Sequence, residues 1–206
     1  MTPAIPKPKL LPLLQEVWAE CGNVGPLPSA LAWSCRGYYR DSMGKHGAND
    51  RGINDDAIGF ISNQVDYRVA ANVDPSVFRW GVSSLKARQV IWYKPGWHGF
   101  ASIHGHPAFR QDSPVVVHRD GTEEHKRGTI HPKFGVCRGH GEWTDLGLEE
   151  RFWTNLHRQT GSGTSSLGCQ TIPQPQWTAF RAVVMAELDR LSMTRFPCIV
   201  LDGPIN

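Results

Sequence analysis

Leu10, Leu13, Leu14, Val17 and Trp18 recur at three- and four-residue spacing, and Gly22 follows as a stop. This spacing predicts a short amphipathic helix packed on a core. Before it, residues 3–8 alternate Pro with Lys and are expected to form an extended arm. Residues 23–56 carry no periodicity and are rich in Gly, Ser, Asn and Asp, so they are expected to be irregular. From Ala57 the pattern becomes that of strands. AIGFISN (57–63), YRVAANV (67–73), RQVIWY (88–93), GFASIH (99–104) and PVVVHR (114–119) are β-rich runs separated by Pro or Gly turns.

RFWTNLHR (151–158) is a further strand candidate, with Phe152, Thr154 and Leu156 on one face and Trp153, Asn155 and His157 on the other. After a Gly/Ser/Thr loop a second helix is predicted. Pro175 falls in its first turn, where proline is tolerated, and Trp177, Phe180, Val184, Leu188 and Leu191 form its apolar stripe. Arg181, Glu187 and Arg190 are expected to face water, and PCIVLD (197–202) to close the chain as a strand. The fold class is therefore mainly β with packed helices, an α+β arrangement. It divides into an N-terminal arm, helix and elaboration over 1–56 and a catalytic domain over 57–206.

Length and charge narrow the function. A chain of 206 residues can bury about 70% of its unfolded surface in one core, so neither disulfide nor metal is required for folding. The net charge of +3 is small, and basic Arg119, Lys126 and Arg127 are interrupted by Asp120, Glu123 and Glu124. That argues against a nucleic-acid partner and is compatible with an anionic polymer such as cell wall. No run of 18 apolar residues occurs and the first residues lack a signal-peptide pattern, so neither membrane insertion nor export by a leader is expected. The five cysteines, at 21, 35, 137, 169 and 198, form no CxxC pair and are expected to be mostly small buried hydrophobes.

Cys169 is the exception. In NLHRQTGSGTSSLGCQTIP (155–173) a strand-borne histidine precedes a loop of small residues, and a cysteine is placed just before the predicted helix. A thiol attacks as thiolate, a form that an imidazole, a helix N-terminus or bare backbone amides all favour. His157 is the candidate base and Cys169 the nucleophile. Gly168 lets the backbone approach a substrate, and the amides of Gly168 and Cys169 are candidate oxyanion donors, each worth about 3–4 kcal/mol in such sites.

The element Ser166-Leu167-Gly168-Cys169, with an upstream strand-borne histidine, resembles the L,D-transpeptidase catalytic domain. The longer phrase NLHR…TSSLGCQTIP…QW is similar to phage-encoded cell-wall hydrolases related to that family. The resemblance implies a β-rich fold, bacterial peptidoglycan as partner, an acyl-enzyme on Cys169, His157 as base, and Ser165, Ser166 and Gly168 as loop-shaping residues. No cofactor is implied. It also implies a phage lysin made in the host cytoplasm and released with holin help, or a virion component, acting at the periplasm or cell wall. The chain departs from the family at Thr171, where Arg or Asn is usual, and at Leu167, where His or Lys is common. Arg158, with Thr171, is then the candidate for substrate binding, and His98 is a candidate to share the cleft. Both departures favour hydrolysis over transpeptidation.

Three rival patterns are weaker. His104 and His106 form a His-x-His pair that would suit zinc and a metallopeptidase, but lacks HExxH and a clear acidic partner. Asn49–Asp56 has the composition of a calcium loop without its closing Glu and is expected to serve turns and caps. Cys137 and His140 share a Gly-rich turn. A non-enzymatic alternative is a wall-binding phage tail component.

Overall fold

A computed structural model describes residues 7–39, 42–43, 51–76, 82–99, 105–119, 130–131, 135–136, 143–145, 154–161, 163–164, 166 and 168–202. In chain order its elements are α1 (Lys7–Glu20), β1 (Ala30–Arg36), β2 (Asp56–Ser62), β3 (Asp66–Ala71), β4 (Ser83–Leu85), β5 (Gln89–His98), β6 (His106–Gln111) and β7 (Val116–Arg119). These are followed by β8 (Ile130–His131), β9 (Gly135–Val136), β10 (Trp143–Asp145), β11 (Leu156–Arg158), β12 (Gln170–Ile172), α2 (Gln174–Arg190) and β13 (Phe196–Asp202).

Eight strands form one sheet in the order β12-β11-β6-β5-β13-β1-β2-β3. Its two edges meet. Asn72, just beyond β3, and Thr171 of β12 exchange backbone N–H···O bonds of 2.8 Å each. The sheet is thus nearly a closed barrel, an arrangement that leaves few unpaired edge amides. Most pairings are antiparallel, but β1–β13 and β11–β12 are parallel. Parallel neighbours require the chain to travel back along the sheet. Between β11 and β12 that return is residues 159–169, the loop that leads to Cys169.

Alternation divides the core. Ala30, Ala32, Ile58, Phe60, Phe196, Cys198 and Val200 point to one face, where Trp177, Phe180, Val184 and Leu188 of α2 join them. Each of the larger side chains among them, such as Ile58, Phe60, Phe180, Val184 and Leu188, contributes roughly 1.5–3 kcal/mol. The other face carries Leu31, Trp33, Cys35, Ile199 and Leu201, covered by Leu10, Leu14, Val17 and Trp18 of α1. Trp33 lies so close over Gly59 that a Cβ there would sit 2.3 Å from its indole.

Mainly β with two packed helices is the observed class. Both helices, the strands expected around 57–63, 67–73, 88–93 and 114–119, and the last strand are present at nearly the expected places. Three expectations are corrected. The stretch read as irregular contains β1, which pairs with both β2 and β13, so the sheet draws strands from either side of the 56/57 boundary. The run ALAWSCR has all seven residues buried, so it lacks the polar alternation that identified the other strands. Of the strand expected over 151–158, residues 154 and 155 are not extended ladder and only 156–158 form β11. Glu187, expected in water, is only 5% exposed and is held by Arg190 at 2.6 Å. The strand expected over 99–104 lies, apart from Gly99, outside the described residues. No helix among the described residues is long and apolar enough to cross a membrane.

Candidate active site

The facing ends of β5 and β6, the short strand β11 and the loop before β12 bring one cysteine and three histidines together. His98 ends β5 and His106 begins β6, opposite each other in the ladder. His157, in the middle of β11, pairs with Ala108 of β6 on one side and Thr171 of β12 on the other. Cys169 immediately precedes β12. The Cys169 sulfur and one ring nitrogen from each of His98 and His157 all lie within 4.8 Å of one another. The His98 and His157 rings stack at 4.0 Å with 17° between their planes, and His106 stands 5.0 Å from His157.

Hydrogen bonds fix which nitrogen of each ring carries the proton. His157 Nδ1 is 2.6 Å from the carbonyl of Arg158, which can only accept, so Nδ1 is protonated and Nε2 keeps a lone pair. His106 Nε2, 3.1 Å from that same Nδ1, is then an acceptor. Asn155 orders His98. The backbone N–H of Gln111 donates to Asn155 Oδ1 at 3.2 Å, which turns the Asn155 amide nitrogen toward His98 Nδ1 at 3.1 Å. Nδ1 of His98 therefore accepts and its Nε2 carries the proton. Two adjacent imidazoles hold opposite tautomers, one with a free Nε2 lone pair and one with an Nε2–H.

The electrostatics are those of a neutral pair. Burial lowers the His157 pKa to about 3, and His98 adds to the effect. His98 is lowered as well, first by burial and then by His106 and Arg110. Burial pushes the Cys169 thiol up to about 11, against a hydrogen bond from the Asn155 backbone. The residue as a whole is partly exposed. At neutral pH the site thus rests as thiol and imidazole, not as thiolate and imidazolium.

The loop is built by serines. Ser166 Oγ accepts from the Gly168 amide at 3.1 Å and donates to the Cys169 carbonyl. Ser76 Oγ accepts from the amide of Ser166 at 2.8 Å and from Thr164 Oγ1 at 2.6 Å. Gly168 adopts φ of 141°, and a Cβ there would fall 2.5 Å from Ser83 Oγ and 2.9 Å from the Ser83 carbonyl. Only glycine fits between this loop and β4.

Several expected residues meet here and others do not. Cys169, His157, His98, Ser166 and Gly168 are gathered into one site, with partly buried Arg158 next to it. Thr171 is corrected: it is wholly buried, bonded through its backbone to Asn72 and through Oγ1 to the Thr164 carbonyl, and cannot meet a substrate. The oxyanion role of the Gly168 amide is corrected too, because Ser166 Oγ already takes its hydrogen. Cys169 does not abut a helix, for β12 intervenes and α2 begins at Gln174, so no helix terminus lowers its pKa. His106 is buried within the cluster as a partner of His157, whereas Ser165, His104, Cys137, His140, Asn49 and Asp50 lie outside the described residues. Asp56 caps the amides of Gly37 and Val73 from a buried position, as expected of the Asx residues in that stretch.

Asn155 is the residue of the candidate site to which sequence reading gave no role. It orders His98 with its side chain, accepts from the Gln170 amide at 2.9 Å with its carbonyl, and reaches the Cys169 thiol with its backbone. The available signal was its position two residues before His157, on the same face of the predicted strand. Comparison with protein-family models, with curated proteins and with solved structures finds no match to this chain.

Proposed function

We propose that this chain is a cysteine-dependent peptidoglycan peptidase of phage type, related to L,D-transpeptidases. The observation that carries the reading is the approach of the Cys169 sulfur and a His157 ring nitrogen to within 4.8 Å, beside a third group of defined tautomer. The resemblance of Ser166-Leu167-Gly168-Cys169 to the transpeptidase element supports the substrate class.

In this reading His157 Nε2 takes the thiol proton as the Cys169 sulfur bonds to an amide carbonyl carbon of a stem peptide. Because the pair rests neutral, proton transfer accompanies attack instead of preceding it. Charge develops on the carbonyl oxygen, and the Nε2–H of His98 is a donor that can meet it. The tetrahedral intermediate collapses, the C–N bond breaks, and the leaving amine takes the proton from His157. Water, deprotonated by the same nitrogen, then attacks the thioester and regenerates the thiol. Arg158 is the candidate for a substrate carboxylate, and Trp97, 49% exposed and adjacent to His98 in β5, offers an apolar surface for the peptide.

Digestion of purified sacculi, with products identified by mass spectrometry, tests the reading. New amino and carboxyl termini at stem-peptide bonds are expected. Sacculi that bind the protein and release nothing would instead indicate a wall-binding component without chemistry.

A further inference from the structure

Two imidazoles and one thiol within 4.8 Å are also a ligand set for a borderline-soft divalent cation. Tetrahedral zinc with such ligands spaces its donor atoms by about 3.3–3.6 Å. Side-chain rotations that close the triangle by about 1 Å complete that geometry. The surroundings of His157 already have the form of an outer shell, since Nδ1–H donates to the Arg158 carbonyl and leaves Nε2 for a metal.

One contact opposes loading. With the Asn155 amide nitrogen at His98 Nδ1, the ring proton is on Nε2. Ligation through Nε2 moves that proton to Nδ1, where it faces the N–H bonds of Asn155. We infer that Cys169, His157 and His98 form a zinc-type cation site, that Asn155 keeps it weak, and that the loaded form is the inactive state of the thiol. On loading, a metal–sulfur bond replaces the S–H bond and one proton leaves for solvent. The His98 proton changes nitrogen without net loss. The inhibitory half rests on the proposed thiol chemistry, and the binding half does not.

The test titrates the metal-free chain of 206 residues with Co2+ and then Zn2+. One cobalt per chain with a thiolate-to-metal charge-transfer band is expected, with one proton released as read from calorimetry in buffers of different ionisation heat. Cys169→Ser and His157→Gln should lose the band while circular dichroism stays native. Asn155→Asp, whose second carboxylate oxygen accepts the Nδ1 proton, should tighten binding about 10-fold or more. A missing band, binding that survives Cys169→Ser, or an Asn155→Asp variant no tighter than the parent overturns the site. Saturating zinc should also block iodoacetamide labelling of Cys169, and labelling that proceeds unchanged overturns the inactive state. If the metal-free protein releases no muropeptides, the peptidase reading fails while the cobalt titration still decides the site.

Discussion

His98 and His157 stack with ring centroids 4.0 Å apart, yet their partners give them opposite tautomers. The Arg158 carbonyl draws the His157 proton to Nδ1, and the Asn155 amide leaves the His98 proton on Nε2. Neither assignment depends on the rings themselves. Both follow from the groups that face them, a backbone carbonyl that can only accept and a side-chain amide nitrogen oriented by the Gln111 N–H, which makes the pair of tautomers a property of the fold.

The two histidines should therefore fail differently. His157→Gln removes the proposed base and is expected to reduce kcat/KM about 10²–10⁴-fold. His98→Gln keeps a donor and should lose less than His98→Ala, whose loss is expected to be about 10²–10³-fold and mainly in kcat. Nitrogen-15 spectra of the wild-type rings should show Nδ1–H for His157 and Nε2–H for His98. The same tautomer in both rings would refute the assignment.

The neutral resting pair sets the pH dependence. With His157 near 3 and Cys169 near 11, neither group titrates between pH 5 and 9, so kcat/KM should contain no step from this pair across that window. At pH 7 only about one thiol in 10⁴ is ionised, so alkylation by iodoacetamide should be slow and rise about tenfold per pH unit. Fast alkylation at pH 7 would show a preformed thiolate.

Acid should destabilise the fold through the same histidine. The folded His157 pKa lies near 3, below the unfolded value of 6.5, so the unfolded chain binds the extra proton. The stabilising contribution is full above pH 6.5 and is lost as pH falls toward 3, at up to about 1.4 kcal/mol per pH unit. Urea denaturation at stepped pH should give a shallower acid slope for His157→Gln than for the parent.

Gly168→Ala tests the loop. The added Cβ meets both the side chain and the carbonyl of Ser83, at a φ that L residues rarely adopt. A loss of about 2 kcal/mol or more is expected in urea melts. Ser83→Gly in the same chain should recover only part of it, because the backbone contact remains.

Periodicity made both helices and most of the major strands legible. It failed at Ala30–Arg36, where burial on both faces erases alternation. The pairing of Cys169 with His157 could be anticipated because β11 and the loop are close in sequence. The arrival of His98 and His106 from 51 or more residues away depends on the β5–β6 hairpin lying against β11, a long-range pairing that no local pattern encodes. The helix expected at Cys169 misled in the same way: the Thr171–Asn72 exchange draws Gln170–Ile172 into the sheet, and the thiol loses the helix terminus that would have acidified it.

The most direct measurement is muropeptide release from purified sacculi by wild type, Cys169→Ala and Cys169→Ser, each checked for native circular dichroism. Release by wild type alone is expected, with both variants folded and silent. Release at the wild-type rate by folded Cys169→Ala would contradict a reaction that begins at that sulfur.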